Sequence, residues 1–156
     1  MKSEKEPSIA VGVIVYRLSP SNSVEYLLLR KAKNIWEPPK GRINPGEDHF
    51  QAAVRETKEE SDLSVDQLQF DSKFGTIFLD YLSSKNQHKS AEFWLAKTGL
   101  NSQVTLSHEH EEFKWCKIDE VERYIRFDMG KGFRKVDNYL LQSSSGREVD
   151  VPSSNT

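Results

Sequence analysis

Segment 47–61 constrains the fold most strongly, because its apolar positions recur at the spacing of one helix face. These positions follow the order i, i+3, i+4 and i+7, and they are Phe50, Ala53, Val54 and Thr57. Asp48 precedes these apolar positions and lies at the N-terminal end of the predicted helix, where a carboxylate interacts favourably with the helix dipole. The segment therefore predicts an amphipathic helix that packs one side on a core.

The same helix carries three glutamates on a second side. They also follow the spacing i, i+3 and i+4, and they are Glu56, Glu59 and Glu60. Like charges at this spacing repel by a few tenths of a kcal/mol per pair, and desolvation near the core makes the repulsion at Glu60 worse. A divalent cation removes the conflict, and clustered carboxylates suit Mg²⁺, with Mn²⁺ as the alternative. For an isolated pattern, the simpler interpretation is a solvated surface paired with Arg55 and Lys58.

The rest of the chain mixes strand and helix patterns. Strands are predicted at Ile9–Leu18, 24–30, 67–82, 91–97 and 112–118, and helices at 118–126 and 131–141. Segment 34–46 is rich in Pro and Gly and is predicted to be a loop. Because strands and helices do not alternate regularly, the pattern favours an α/β (α+β) sandwich with a mixed sheet. One domain is expected over 8–141, between a loose terminus at 1–7 and a disordered tail at 142–156.

Composition argues against several classes of partner. The 156 residues carry a formal net charge of −2, so no overall basic surface for nucleic acid is expected. No apolar run is long enough to span a membrane. Cys116 is the only cysteine, and it is predicted to be a buried strand thiol. A single cysteine suits a reducing compartment, so a cytoplasmic location is expected, with a nuclear one as the alternative.

The segment around the helix closely resembles the Nudix box, G-x5-E-x7-R-E-U-x-E-E-x-G-U, in which U is aliphatic. The matching positions are Gly41, Glu47, Arg55, Glu56, Glu59, Glu60 and Leu63. Two positions differ, since Thr57 replaces an aliphatic residue and Asp62 replaces the glycine after the helix. The Thr57 hydroxyl can bond back to a helix carbonyl, and Asp tolerates the left-handed conformation better than most residues.

Further segments are similar to the asymmetric diadenosine tetraphosphate hydrolases within the Nudix superfamily. They are Tyr26-Leu27-Leu28-Leu29-Arg30, Trp36-Glu37-Pro38-Pro39-Lys40-Gly41, Glu92-Phe93-Trp94-Leu95-Ala96 and Leu106-Ser107-His108-Glu109-His110-Glu111. The resemblance implies a Nudix-type α/β/α sandwich with a mixed central sheet. It also implies a monomer that cleaves diadenosine tetraphosphate to ATP and AMP by attack of water on phosphorus.

The resemblance assigns roles to the acidic residues. Glu56, Glu59, Glu60 and Glu109 are the implied metal ligands. Glu60 or Glu109 is the implied general base, and the sequence does not choose between them. Gly41, Glu47 and Arg55 are expected to be structural. His108 and His110 are expected to shape the loop that presents Glu109, because no third ligand supports a zinc site.

Four residues are predicted to bind the substrate. Lys40 and Lys89 are expected to contact phosphate oxygens. Tyr81 and Phe127 are the predicted partners for adenine, since they fall in loop-like segments and aromatic side chains stack on bases.

Three alternatives remain open. A diphosphoinositol polyphosphate would require more Lys and Arg than the sequence shows around Lys40 and Lys89, and a capped RNA 5′ end would require a basic stripe. A catalytically inactive domain that only binds nucleotide would be expected to lack a box carboxylate. Glu47, Glu56, Glu59 and Glu60 are all present, which disfavours that alternative.

Overall fold

A computed structural model of the protein describes residues 9–83 and 85–155, with side chains up to Ser143. The predicted loose terminus 1–7 lies outside these residues. The strands are β1 Ile9–Leu18, β2 Val24–Ala32, β3 Ile35–Glu37, β4 Lys40–Arg42, β5 Gln69–Phe70, β6 Thr76–Leu82, β7 His88–Lys97 and β8 Glu112–Cys116. The helices are α1 His49–Ser61, α2 Ile118–Tyr124 and α3 Phe127–Asn155, with a 3₁₀ turn at Val65–Gln67.

Strand β1 lies at the centre of a mixed sheet. It pairs antiparallel with β2 and β4 and parallel with β7. The other strands extend the sheet outwards, because β3 and β8 pair with β2 while β5 and β6 pair with β7. A strand paired on both edges and apolar on both sides requires helices on both faces of the sheet.

Two apolar cores lie on opposite faces of this sheet. The alternation of side chains along β1 sends Val11, Val13 and Val15 towards α1 and Ile14 towards α2 and α3. The core on the α3 side also contains Phe133, whose ring meets the buried Tyr26 ring edge-on at 5.6 Å between centroids. The arrangement is an α/β/α sandwich with a mixed central sheet, which confirms the predicted fold class.

Several predicted element boundaries differ from the structure. The predicted strand 67–82 is interrupted at 71–75, where Gly75 adopts a positive φ of 74°. The short strands β3 and β4 lie within the predicted loop 34–46, because each pairs with a longer strand that sequence pattern does not reveal. Helix α3 extends to Asn155 and so includes segment 142–155, where a disordered tail was expected.

Helix α1 begins two residues later than predicted and has well-formed caps. The Asp48 carboxylate accepts a hydrogen bond from Gln51 N at 2.8 Å, and the Gln51 side chain accepts one from Asp48 N at 2.9 Å. Phe50 does not lie in the core as predicted, because its ring sits at the surface against Phe70 and Trp94. Ala52 takes the buried position instead.

The loop before β4 lies directly against the middle of β1. Val13 N donates to Pro39 O at 3.2 Å, and a Cβ at Gly12 would lie only 2.1 Å from that same oxygen. Gly12 therefore allows the loop that carries Lys40 to approach the sheet. None of the described helices is long and apolar enough to span a membrane.

We expect Gly12→Ala to lower the free energy of unfolding by about 1–3 kcal/mol, because the added methyl overlaps a backbone oxygen that must then shift. The measurement is urea unfolding of the purified protein. Gly99→Ala is the matched control, since the nearest atom to its added Cβ is Ser102 Oγ at 3.8 Å. Equal effects of the two substitutions would show that the loop does not depend on Gly12.

Candidate active site

Arg55 on α1 connects the helix to the loop that precedes it. Its guanidinium donates to both Glu47 oxygens, at 2.6 and 3.0 Å, and to Arg42 O at 2.8 Å. The hydrogen bond from Arg55 holds the pKa of Glu47 below its usual value. Arg55 also donates to Glu56 at 3.1 Å and to Glu59 at 3.2 Å. One cation thus partly offsets the charge of three carboxylates.

Glu56 lies against the backbone of Gly41. A Cβ at Gly41 would be 2.1 Å from the Glu56 carboxyl carbon, so any larger residue would displace the carboxylate. Burial raises the pKa of Glu56, and Arg55 only partly opposes this effect. Gly41 therefore determines where the Glu56 oxygens sit.

Glu60 is the most deeply buried carboxylate of the helix, with 5% of its surface exposed. Lys40 N donates to its Oε1 atom at 3.1 Å. Burial raises the pKa of Glu60 to about 7, although His110 and this hydrogen bond act in the opposite direction. A carboxyl group with this pKa can exchange a proton near neutral pH.

Glu56 and Glu60 open into a cleft of about 510 Å³, here named the acidic cleft. Glu109 and His110 line its other side, from the loop before β8. The cationic residues in its lining are Lys31, Lys40, Arg42 and Lys89. Three of the predicted metal ligands and both predicted phosphate-binding lysines therefore share one cleft.

A second cleft of about 490 Å³, here named the aromatic cleft, adjoins the first. The two share Lys31, Glu37, Lys40, Tyr81 and Lys89. The aromatic cleft adds Trp36 and Tyr124, whose ring centroids are 5.4 Å apart. Lys40 Nζ lies 5.5 Å from the centre of the Tyr81 ring. A ligand with a flat ring and a chain of phosphates would find matching groups along the two clefts.

Two predicted site residues lie elsewhere. Glu59 is exposed beside Arg55 and does not line either cleft. Phe127 does not line the aromatic cleft, and 81% of its surface is exposed. It follows Arg126, which does line that cleft, and its ring lies 5.6 Å from Lys131 Nζ.

The acidic cleft has the donor chemistry of a site for a hard divalent cation. Its carboxylates are crowded, and burial raises the pKa of both Glu56 and Glu60, so a cation would relieve an unfavourable arrangement. Within residues 9–83 and 85–143, no three His, Cys, Asp or Glu side chains converge on one point. A divalent ion bound by the carboxylates of this cleft would therefore complete its coordination shell with water and substrate oxygens.

Comparison with known proteins identifies the family. The NUDIX domain model matches residues 7–136, which is more than half of the chain. The chain belongs to the Nudix family. This confirms the resemblance of segment 41–63 to the Nudix box, and it makes the protein a hydrolase that acts on phosphoanhydrides.

Several characterised Nudix proteins are similar over most of their length. The asymmetrical bis(5′-nucleosyl)-tetraphosphatase of Caenorhabditis elegans is 38% identical over 135 residues, covering 84% of this chain and 95% of the relative. The Mus musculus protein of the same name is 33% identical over 143 residues, covering 86% and 96%. A crystal structure of the C. elegans Ap4A hydrolase binary complex superposes with a TM-score of 0.79 at 37% identity, covering 86% and 98%.

The Nudix helix accommodates both departures from the box pattern. Thr57 is fully buried, and its hydroxyl donates to Ala53 O at 2.8 Å, so its polar atom has a partner within the helix. Asp62 adopts φ 65° at the helix C-cap, the left-handed conformation that glycine usually supplies. Neither Thr57 nor Asp62 lines the acidic cleft.

Some residues of the Nudix site were not found by sequence reasoning. Tyr124 and Trp36 line the aromatic cleft. Tyr124 lies in a predicted helix, where an aromatic residue usually belongs to the core, and Trp36 falls in the predicted loop 34–46, where no role was assigned to it. Glu37 was also missed, and it contacts both Lys40 and His110. Cys116 is buried as predicted, and burial raises its pKa to about 11.

We expect Glu60→Gln to stabilise the metal-free protein at pH 8 by up to about 3 kcal/mol, and to have little effect at pH 5. Because the pKa of Glu60 rises from 4.5 to about 7 on folding, the folded state binds more protons than the unfolded state between those values. Stability of the wild type therefore falls as the pH rises through that window. Thermal unfolding in the presence of a chelator measures the difference.

Glu59→Gln is the control for this measurement, because Glu59 lies on the same helix with 56% of its side chain exposed. A pH-dependent gain of the same size in Glu59→Gln would show that the general acidity of the helix, and not the burial of Glu60, causes the effect.

Proposed function

We propose that the protein hydrolyses diadenosine tetraphosphate to ATP and AMP, with Mg²⁺ as the metal ion. The main observation in support of this proposal is that the acidic cleft and the aromatic cleft adjoin and share Lys31, Lys40 and Lys89. The names of the C. elegans and Mus musculus relatives support the same substrate class. One aromatic cleft beside one acidic cleft suggests unequal products, because a base held at one end presents an off-centre phosphorus to the carboxylates.

Glu60 is the proposed general base. Its pKa of about 7 lies near the operating pH, which is the condition for effective proton transfer. Lys40 N donates to Oε1 and fixes the carboxylate, leaving the other oxygen to take a proton from water. Glu109, the alternative base, lies exposed on the opposite side of the acidic cleft. The burial of Glu60 favours it over Glu109 for this role.

Glu56, Glu60 and Glu109 are the proposed metal ligands, with Glu59 as a further ligand that would have to leave Arg55. Nudix hydrolases generally use divalent metal ions. Such an ion would neutralise the phosphate oxygens and the crowded carboxylates. Gly41 supports this assignment, because it leaves room for the Glu56 carboxylate at the floor of the cleft.

The lysines shared by the two clefts are the proposed phosphate-binding residues. Burial by itself lowers the pKa of Lys40, but Glu37 and Tyr81 outweigh this effect and raise the pKa, so the ammonium stays charged. Lys89 lies on β7 at the rim of both clefts. Positioning and charge neutralisation of this kind are the main requirements of phosphoryl transfer.

The proposed adenine site is the aromatic cleft. Tyr81 lines it beside the shared lysines. Phe127 is exposed and directly follows the lining residue Arg126, and it is proposed as a second partner that reaches the base from outside the cleft. Tyr124 is an additional partner that the structure suggests. Each aromatic ring that stacks on a base contributes about 1–3 kcal/mol.

A diphosphoinositol polyphosphate is the main competing substrate. The two clefts together are lined by five cations, Lys31, Lys40, Arg42, Lys89 and Arg126, which is denser than the sequence suggested. An inositol ring with its phosphates would not use Trp36 and Tyr124, however. The aromatic lining therefore favours a nucleotide as the substrate. The buried Glu60 favours catalysis over a role in which the protein only binds the nucleotide.

We propose that the protein acts as a monomer, with one acidic cleft and one aromatic cleft in each copy of the chain. A cytoplasmic location, with a nuclear one as the alternative, is proposed from the single cysteine, whose buried thiol suits a reducing compartment.

We expect the purified protein to convert diadenosine tetraphosphate into equal amounts of ATP and AMP in the presence of Mg²⁺. Ion-exchange chromatography separates the products, and excess chelator should abolish them. Glu60→Gln should fold normally and lose about 10²-fold or more in kcat, because the proposed base is removed while the side-chain shape is kept.

The other outcomes of this assay each reject a part of the proposal. Two ADP molecules would reject the unequal cleavage and keep the hydrolase. No product with the nucleotide, combined with phosphate release from a diphosphoinositol polyphosphate, would replace the substrate class. Near-wild-type turnover of Glu60→Gln would remove Glu60 as the base.

We expect Phe127→Ala to raise KM several-fold with little change in kcat, because stacking binds the ground state and the transition state alike. Steady-state kinetics with diadenosine tetraphosphate measures both constants. Phe78→Ala is the matched control, since Phe78 is also an exposed aromatic residue but does not line either cleft. An unchanged KM in Phe127→Ala would place the adenine elsewhere.

A further inference from the structure

The loop that carries Glu109 has one buried side chain between exposed neighbours. His108 and Glu109 are exposed, whereas His110 keeps only 6% of its surface exposed. The alternation buries His110 and leaves Glu109 exposed, although both residues line the acidic cleft. A buried imidazole next to a proposed metal ligand requires a specific reason, because burying a polar ring without partners is unfavourable.

His110 is held by one side-chain hydrogen bond. Its Nε2 atom donates to Glu37 Oε2 at 2.9 Å. Its Nδ1 atom has no hydrogen-bond partner within the described part of the chain. The orientation of the ring therefore depends on Glu37.

Glu37 extends this contact to the opposite wall of the cleft. Its other oxygen, Oε1, lies 3.3 Å from Lys40 Nζ. The backbone N–H of Lys40 in turn donates to Glu60 at 3.1 Å. A continuous series of contacts thus runs from the loop of Glu109, through Glu37 and Lys40, to the buried carboxylate of α1.

Glu109 has little support of its own. Its carboxylate has no hydrogen bond or ion pair in the residues that the structure describes, and only its backbone N–H is held, by Ser107 Oγ at 3.2 Å. The loop is otherwise fixed on its far side, where Glu111 N donates to Arg30 O at 2.8 Å. On the cleft side, His110 is the residue that ties the loop to the wall opposite Glu109.

We propose that His110 and Glu37 are positioning residues for the hydrolysis, and that their hydrogen bond holds the Glu109 loop at a fixed separation from Lys40 and Glu60. The inference rests on the proposed function for its catalytic consequence. Without the pairing to His110, the carboxylate of Glu37 would disfavour phosphate binding, because it lies beside the lysines that are proposed to bind phosphate. The hydrogen bond to His110 holds the Glu37 carboxylate away from the bound phosphates and uses it to position the loop.

The test compares His110→Ala, Glu37→Ala and the double variant. Each single change should lower kcat about tenfold or more, the usual effect of removing a residue that orients a metal ligand. The kcat of the double variant should be no lower than that of the less active single variant, because both changes break the same hydrogen bond. His110→Gln, which retains a donor, should restore kcat to within about threefold of wild type.

A binding measurement separates positioning from turnover. Mn²⁺ is titrated into the protein, and free Mn²⁺ is followed by electron paramagnetic resonance. The ion should bind about tenfold more weakly to His110→Ala than to the wild type. His108→Ala is the matched control, because the His108 side chain is exposed on the other flank of Glu109 and has no hydrogen bond or ion pair within the described residues. It should change neither kcat nor Mn²⁺ affinity. The loop-shaping role that was expected for both histidines is therefore assigned to His110 alone.

The outcomes distinguish this inference from the proposed function. Wild-type protein that binds Mn²⁺ but does not cleave diadenosine tetraphosphate would overturn the function, while the Mn²⁺ comparison would still decide the role of His110. Unchanged Mn²⁺ affinity in His110→Ala, or effects of the two single changes that multiply in the double variant, would overturn the inference. If His110→Ala does not fold, His110→Gln with poor turnover and weak Mn²⁺ binding would also overturn it.

Discussion

Both faces of β1 are buried, and this double burial determines which groups can approach the strand. Side chains point to α1 on one face and to α3 on the other, so the backbone itself is the only part of β1 that a third element can reach. Gly12 makes that approach possible, because Pro39 O lies where any side chain would be. The Lys40 N–H is then presented to Glu60, and the acidic cleft forms at this junction.

Several carboxylates around the acidic cleft have fixed cationic partners, whereas Glu60 has none among the residues that the structure describes. Arg55 compensates Glu47, Glu56 and Glu59 through direct hydrogen bonds. Glu60 receives one backbone N–H, and its pKa remains raised by burial. The protein therefore concentrates its unbalanced carboxylate at the place where water, a metal ion and phosphate would meet, which is where electrostatic preorganisation has the greatest effect on rate.

The sequence was sufficient for features set by local periodicity and much less so for features set by packing across the sheet. The boundaries of β1 and the C-terminal end of α1 agree with the prediction, because both have a clear apolar repeat. The short β3 and β4 could not be found, since three-residue strands exist only through their partners. The grouping of Glu56 and Glu60 was anticipated through the box, and that of Lys40 through the segment that precedes the box. Glu37 and Tyr124, which reach the clefts from other elements, were not anticipated.

Lys31, Lys40 and Lys89 line both clefts, so the two ends of a bound molecule contact the same cations. In a hydrolase of the proposed kind, a ligand that reaches both the aromatic rings and the acidic carboxylates would need a phosphate chain that passes these lysines. A nucleotide with a shorter chain would engage one set of groups without the other. Discrimination between a dinucleoside polyphosphate and the far more abundant mononucleotides with the same base would then depend on chain length, and recognition of the base would contribute affinity without selectivity.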